Sequence, residues 1–495
     1  MTTRLRHDPF RLCLLMLIVV SLSRLGGYFG VLRLLRPALL LFAFCVIYAF
    51  LHRRKLIRRN LTGSWAVRLI SALGVVAAGS AVFGISLGHS ATYILNDFSK
   101  TLAITFLLIA TIRDVTDVRR LCWAFALAGI VLAYLSIFVI GISKTTGGVS
   151  YDANDLGVFM VTSIPLVLLL LQSATGRVEK LTAVAGLALL VSTVVKTQSR
   201  GAFIGALVVG VALLLLPGMS VGRRLFYVVA ASATMVLAAP AGYWDSMRNV
   251  LADPKTDYNW DSVNGRRNLA KRGIGYMLSY PVFGVGIDNF RVAEGTISDK
   301  ARHTPPGHGI RWASPHNSFV QAGAEAGVPG LLLWVSLVLA NIVVPLRLRR
   351  RIPQHWRNGA PDRRFLAWAT VYLPIAQLGF AVTAFFVAFA WMEPVYFLSA
   401  LVIGLLLVGR RELLPFAPPR VVPGFRSLRS RAVAGLATPD SQPATHPFSD
   451  LRAAHHPDVT EQGDRIVVAP LGGCETGQSC QVHDADRGSR GMREQ

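Results

Sequence analysis

The chain has 495 residues, 53% of them hydrophobic and 16% charged, with a formal net charge of +24 and a mean hydropathy of +0.47. Apolar runs of roughly 15–25 residues, the length a helix needs to cross a bilayer, recur from residue 12 to residue 409 and exclude a string of soluble domains. The absence of alternating strands of about ten residues excludes a membrane β-barrel, and the absence of an aromatic-interleaved basic module excludes nucleic acid as partner.

Residues 1–11 are basic and 12–23 apolar. Arg24 follows directly, with no small-residue cleavage site, so an uncleaved first span is expected. Further spans are expected near 38–51, 65–87, 93–112, 121–142, 154–171, 179–196, 201–216, 225–242, 329–346, 365–389 and 394–409. The fold class read from this is all-α integral membrane, with about 12 transmembrane helices.

Basic residues cluster between spans: Arg53, Arg54, Lys55, Arg58 and Arg59, then Arg223 and Arg224, then Arg347 through Arg364. Such clusters mark cytoplasmic loops. With the N-terminus inside, the loops near 52–60, 113–120, 172–178, 217–224 and 347–364 face the cytoplasm, and all are rich in Arg or Lys. The loop 24–37 breaks the pattern, since Arg24, Arg33 and Arg36 face outward. Either the first pair of spans is irregular, or those arginines bind something.

This orientation makes residues 243–328 one large extracytoplasmic loop bearing short amphipathic helices, of a size that is usually functional or disordered. Its Trp244, Trp260, Phe283, Phe290 and Trp312 predict that it folds against the membrane domain. Residues 1–410 form the polytopic domain, and 411–495, rich in Pro, Arg, Ser and Asp, predict a disordered cytoplasmic tail. Cys13, Cys45 and Cys122 read as small core residues, Cys474 and Cys480 lie in the tail, and no metal-ligand spacing emerges.

The segment Ser314–Gly330 carries the sharpest signal. Ser314 suits a helix cap, Pro315 the first helical position and Gly327 a left-handed stop, with Pro329 opening the next apolar run. His316 and Asn317 then stand in the first turn of a helix at the membrane surface, where the dipole favours a neutral imidazole base. Arg200 sits in a tight outer connection, where an arginine at membrane depth needs a partner such as a lipid phosphate. Arg266 and Arg267 open an amphipathic helix that ends at Ser279, on which Lys271 and Arg272 read as a solvated face. Gly284–Asn289 reads as a tight turn rather than a nucleotide loop, lacking the third glycine and the strand–turn–helix setting. Asp152 or Asn154 suits a cap, with a substrate contact as the second reading of Asn154. Glu393 has no assigned task, and His89, His303 and His308 read as ordinary loop residues.

Together, Ser199-Arg200-Gly201, Gly265-Arg266, Pro281–Gly286, His316–Phe319 and Glu325–Gly330 resemble the O-antigen ligase and polymerase family of polytopic membrane glycosyltransferases. The motifs span residues 150–345; the N-terminal spans and the tail carry none. Family members often have a tryptophan shortly after the Gly-Arg pair, where this chain has Leu269 and Ala270, so the register of Arg266 against Arg267 stays open. The resemblance implies an undecaprenyl-diphosphate-linked glycan donor and an acceptor hydroxyl on a sugar, lipid A–core or protein, outside the bacterial cytoplasmic membrane. With it, His316, Arg266 and Arg200 are expected as catalytic residues and Arg267, Asn317 and Asn154 as substrate-binding residues, with no cofactor; because the arginines can supply the charge of a divalent cation, no metal is expected. Ligation, polymerisation of lipid-linked repeat units and O-linked transfer to protein all remain open.

Three other classes compete. A transporter or flippase of lipid-linked sugars would show internal repeats and broken spans around a midplane site, and neither is seen. A peptidoglycan-type polymerase of the shape, elongation and division class would rest on Asp288 or Asp261 and leave His316 unexplained. A structural scaffold would tolerate substitution of His316.

Overall fold

A computed structural model describes residues 8–142, 151–216, 220–240, 243–244, 265–304 and 312–414, and these are almost wholly helical, with no strand among them. Residues 1–418 cluster as one compact unit. The expected tail lies outside the described residues except at its start, where the last helix runs on to Leu413 and so moves the boundary past 410.

Helix α1 (Pro9–Ser23) is capped by Asp8 and stopped by Arg24 in the left-handed region. Two short helices follow, α2 (Leu25–Tyr28) and α3 (Gly30–Leu35), before Arg36, also left-handed, leads into α4 (Pro37–Leu51). The first pair of spans is therefore irregular, as one of the two expectations held. After α5 (Arg58–Thr62) come α6 (Trp65–Phe83), α7 (Leu87–Tyr93) and, across a π-turn, α8 (Ser99–Thr111). Then follow α9 (Val115–Phe138), α10 (Ala153–Ser173), α11 (Arg177–Lys196), α12 (Arg200–Leu214) and α13 (Val221–Ala238). Three short helices, α14 (Arg266–Ser279), α15 (Phe290–Thr296) and α16 (Asp299–His303), precede α17 (Ser318–Arg349), α18 (Pro361–Thr383) and α19 (Glu393–Leu413).

Among the described residues, nine helices are long and apolar enough to cross a membrane. Pro9–Ser23, Arg200–Leu214 and Arg224–Ala238 are apolar but shorter, below the ~20 residues a perpendicular crossing needs. The expected count of twelve thus has nine members supported by length.

Helix α10 is the axis of the bundle, with 83% of its apolar window buried, the largest share of any candidate span. Glycines bring neighbours close: a Cβ on Gly157 would stand 2.5 Å from the Ala202 Cβ, and one on Gly205 2.4 Å from the Thr383 methyl, the small-residue packing that helices in lipid rely on. Asn341 on α17 donates to Gln377 Oε1 of α18 (3.1 Å) and Ser399 Oγ of α19 (2.8 Å), a polar knot joining three helices in the core. At one end of the bundle, Arg119 and Arg364 donate to the final carbonyls of α10, which a helix C-terminus leaves without partners.

The middle segment folds as an amphipathic layer on this bundle. Helix α14 ends at Ser279, as expected, and buries Leu269, Gly273 and Tyr276. A Cβ on Gly273 would lie 2.3 Å from Val320, so α14 packs directly on the start of α17. Phe290 is fully buried and Phe283 stacks on Phe83 of α6 at 4.6 Å, which bears out two of the aromatic anchors. Trp244 and Trp312 are about half exposed, and Trp260 lies outside the described residues. The end of the expected loop, from Ser318, is helical up to a break at Ala326 and Gly327, beyond which the apolar part of α17 begins.

Candidate active site

Residues Ser199–Gly201 shape the first part of the site. Ser199 caps α12 by accepting from the Ala202 amide, and its hydroxyl donates to Asn154 Oδ1 at 2.7 Å. Gln198 before it is left-handed, which turns α11 into α12 within three residues and sets Arg200 at the first helical position. Asp152, not Asn154, caps α10, accepting from the amides of Asn154 and Asp155. Asn154 is instead the brace that fixes the Arg200 turn against α10.

The second part is the start of α14. Arg266 shares the inward face with Leu269, Gly273 and Tyr276, whereas Arg267 is exposed. The Arg266 guanidinium lies over the Phe386 ring, 5.8 Å from its centroid. A Cβ on Gly201 would stand 2.6 Å from Cγ of the same ring. Phe386 therefore touches both arginine-bearing segments, and of the two arginines Arg266 is the half-buried one.

The third part is His316-Asn317-Ser318, and here the expected register shifts. Asn317, not Ser314, is the cap: its Oδ1 accepts from the amides of Phe319 (2.9 Å) and Val320 (3.1 Å). His316 is accordingly not in the first turn. It is half-buried, immediately before the cap, with φ of +45°, a conformation uncommon outside glycine and a mark of sites where backbone is held for a purpose. Ser318 donates to Val387 O at 2.8 Å and accepts from the Phe389 amide at 2.9 Å. The segment 384–392, between α18 and α19, is thus the common support of the Arg200, Arg266 and His316 elements.

Sequence reading missed that support. Gln321 accepts from the Ala390 amide at 3.0 Å, and Glu325 accepts from Trp391 Nε1 at 2.6 Å. Glu325 also accepts from the Phe290 amide at 3.2 Å, while its carbonyl takes the Ser80 hydroxyl at 2.5 Å. Next to it α17 breaks at Ala326 and Gly327, the latter with φ of +68°, the left-handed stop expected there. Pro281–Asn289 clasps the break: Val285 and Gly286 donate to the carbonyls of Ala324 and Glu325, and Val328 donates to Pro281 O. The clasp is the tight turn expected, with Gly284, Gly286 and Asp288 all left-handed.

One solvated-residue expectation needs correction. Arg272 makes a forked ion pair with Glu294 (2.8 and 2.7 Å), whose side chain is 1% exposed, and Tyr276 donates to the same carboxylate at 2.9 Å. The pairing raises the Arg272 pKa, and burial with the Glu294 charge raises that of Tyr276. Lys271 is exposed as expected. His89 is paired with Asp288 at 3.1 Å, and burial raises the Asp288 pKa while His89 opposes the shift. His303 bonds the Asp299 carbonyl; His308 and Asp261 lie outside the described residues. Among the described residues no group of three or more His, Cys, Asp or Glu side chains gathers as metal ligands would.

Residues 185–335 match the family model described as O-antigen ligase. The match takes in Arg200, Arg266, Arg267, His316 and Asn317, with Asn154 and Phe386 outside it. Over that stretch the chain is similar to O-antigen ligases, and its long apolar helices are those of a multi-pass membrane protein. No curated protein matches it.

Proposed function

We propose that the protein transfers a glycan from an undecaprenyl-diphosphate donor to an acceptor hydroxyl at the outer face of the bacterial cytoplasmic membrane, as a surface-polysaccharide ligase of the O-antigen type. The observation that carries this reading is the convergence on one short segment, 384–392, of two arginine elements and the His316 element. Arginine forks suit a diphosphate, and a histidine suits the hydroxyl that attacks it.

In this reading His316 accepts the acceptor's proton as the hydroxyl oxygen bonds to the anomeric carbon. The bond from that carbon to the diphosphate oxygen breaks, and the released diphosphate keeps the electron pair. Arg200 and Arg266 hold its developing charge, the stabilisation that usually dominates such steps. Arg267, on the exposed side, contributes field rather than contact. The Oδ1 atoms of Asn154 and Asn317 are already engaged, leaving their amide nitrogens for sugar hydroxyls. With arginines supplying the charge, transfer is independent of divalent metal; loss in chelator with recovery in magnesium would contradict this. A single displacement inverts the anomeric centre. With the three shorter apolar helices counted as crossings and the Arg-rich loops on the inside, both termini lie in the cytoplasm and the site in the periplasm in this reading.

The polymerase reading uses the same residues and differs in acceptor. Purified protein given an undecaprenyl-diphosphate glycan and candidate acceptors decides between them. A single addition to lipid A–core or protein supports ligation, and a ladder of repeats supports polymerisation. Donor translocated across vesicles with no new glycoconjugate would favour a transporter.

A further inference from the structure

The arginines that break the charge pattern, Arg33 and Arg36, line a cavity of about 410 Å³ together with Lys100 of α8. Leu17 and Phe42 form part of its apolar wall, and Asp97 and Glu393 complete the polar side. None of the three cations makes a side-chain hydrogen bond or ion pair among the described residues. Of the two acids, Glu393 also acts on the charge of Arg24. Unpartnered cations beside apolar spans are costly in a bilayer unless a counter-ion joins them.

The backbone adds a second, independent sign. Arg36 adopts φ of 46° and ψ of 55° directly before Pro37, and a residue before proline is sterically restricted as well as disfavoured in the left-handed region. Arg24 is left-handed too. Strain held at both ends of a short segment is characteristic of ligand clamps. The cavity lies at the same end of the bundle as the candidate active site: Arg24, at the end of α1, stacks 4.1 Å over Tyr151, which precedes the Asp152 cap of α10.

We propose that this cavity binds the phosphate headgroup of a membrane amphiphile, with Arg33, Arg36 and Lys100 on the phosphate and the apolar wall on the chain. It is separate from the Arg200–Arg266 site and does not depend on the transfer reaction. Two sources carry that chemistry, a bilayer phospholipid and an isoprenoid diphosphate.

The test is native mass spectrometry of the delipidated full chain titrated with phosphatidylglycerol, phosphatidylcholine or undecaprenyl diphosphate. Phosphatidylglycerol should bind wild type as one retained lipid. It should bind the Arg33→Ala/Arg36→Ala/Lys100→Ala variant at least about tenfold more weakly, given the energy of each basic residue toward anionic lipid. Arg33→Lys/Arg36→Lys, which keeps the charge, should stay within about threefold of wild type. Arg33 is exposed, so Arg33→Gln alone gives a folded variant with an intermediate loss if the triple variant fails to fold. Displacement of phosphatidylglycerol by undecaprenyl diphosphate would support the site with the isoprenoid as occupant, and failure to displace would support it with phospholipid. Equal binding of phosphatidylglycerol by wild type and the charge-removed variants, or phosphatidylcholine binding as tightly as phosphatidylglycerol, would overturn it.

Discussion

The guanidinium of Arg266 and the ring of Phe386 face each other at 5.8 Å, although 120 residues of chain separate them (386 − 266). The same ring closes on Gly201, beside Arg200. One aromatic side chain therefore holds the spacing of the two arginines that the proposed mechanism places on the diphosphate.

Gly201→Ala is expected to drive its new methyl into Phe386 and displace the ring, and Phe386→Ala to remove the shared surface. A misplacement of about 1 Å at such a site can cost ~10²-fold in rate. Transfer assays on purified variants, with Phe386→Leu as the conservative control retaining most activity, check this.

Arg266→Ala is expected to lose nearly all transfer and Arg267→Ala to keep most of it, because only Arg266 faces inward. Comparable losses in both variants at equal membrane abundance would return the register to the open state it had in the sequence.

Removing Arg272 should act on the fold instead. Arg272→Ala leaves the buried Glu294 carboxylate without its forked partner, a loss of about 3–5 kcal/mol for a buried pair broken from one side. A markedly lower melting temperature follows, and the double variant Arg272→Met/Glu294→Leu should recover part of it.

Asp288→Asn is expected to retain transfer, against the acidic-residue polymerase reading. Its stability effect has a definite sign with pH. Burial raises the Asp288 pKa above its ordinary value of 3.8. The contribution of the protonated carboxyl is therefore full below that value and is lost as pH rises through the higher folded one. Melting curves should show the Asn variant gaining on wild type from pH 3.8 upward.

Much of this was legible in the chain because it is local. Gly327 reads as a left-handed stop and is one, and Ser279 ends its helix as Ser-Tyr-Pro suggests. The register around His316 was not legible, because Ser314-Pro315 and Asn317-Ser318 both satisfy capping rules. What distinguishes them is the bonding of Ser318 to Val387 and Phe389, contacts 69 and 71 residues away in the chain and invisible to local rules. Segment 384–392 is apolar and reads as the end of a span, so its role as a support emerges only when α10, α12, α14 and α17 are brought around it. Arg272 failed in the same manner: its charge reads as solvated until α15 delivers Glu294.

The central claim is that His316 takes the acceptor's proton at a site where Arg266 holds the diphosphate. The most direct measurement is single-turnover transfer from undecaprenyl-diphosphate glycan by purified wild type, His316→Ala and Arg266→Ala, each matched for amount and melting temperature. The account predicts a loss of ~10²–10⁴-fold in the rate of the bond-forming step for His316→Ala, with donor binding retained, as removal of a general base implies. Arg266→Ala should weaken donor binding as well as rate. A wild-type rate from folded His316→Ala protein would contradict the account and reduce His316 to a residue that shapes the turn before α17.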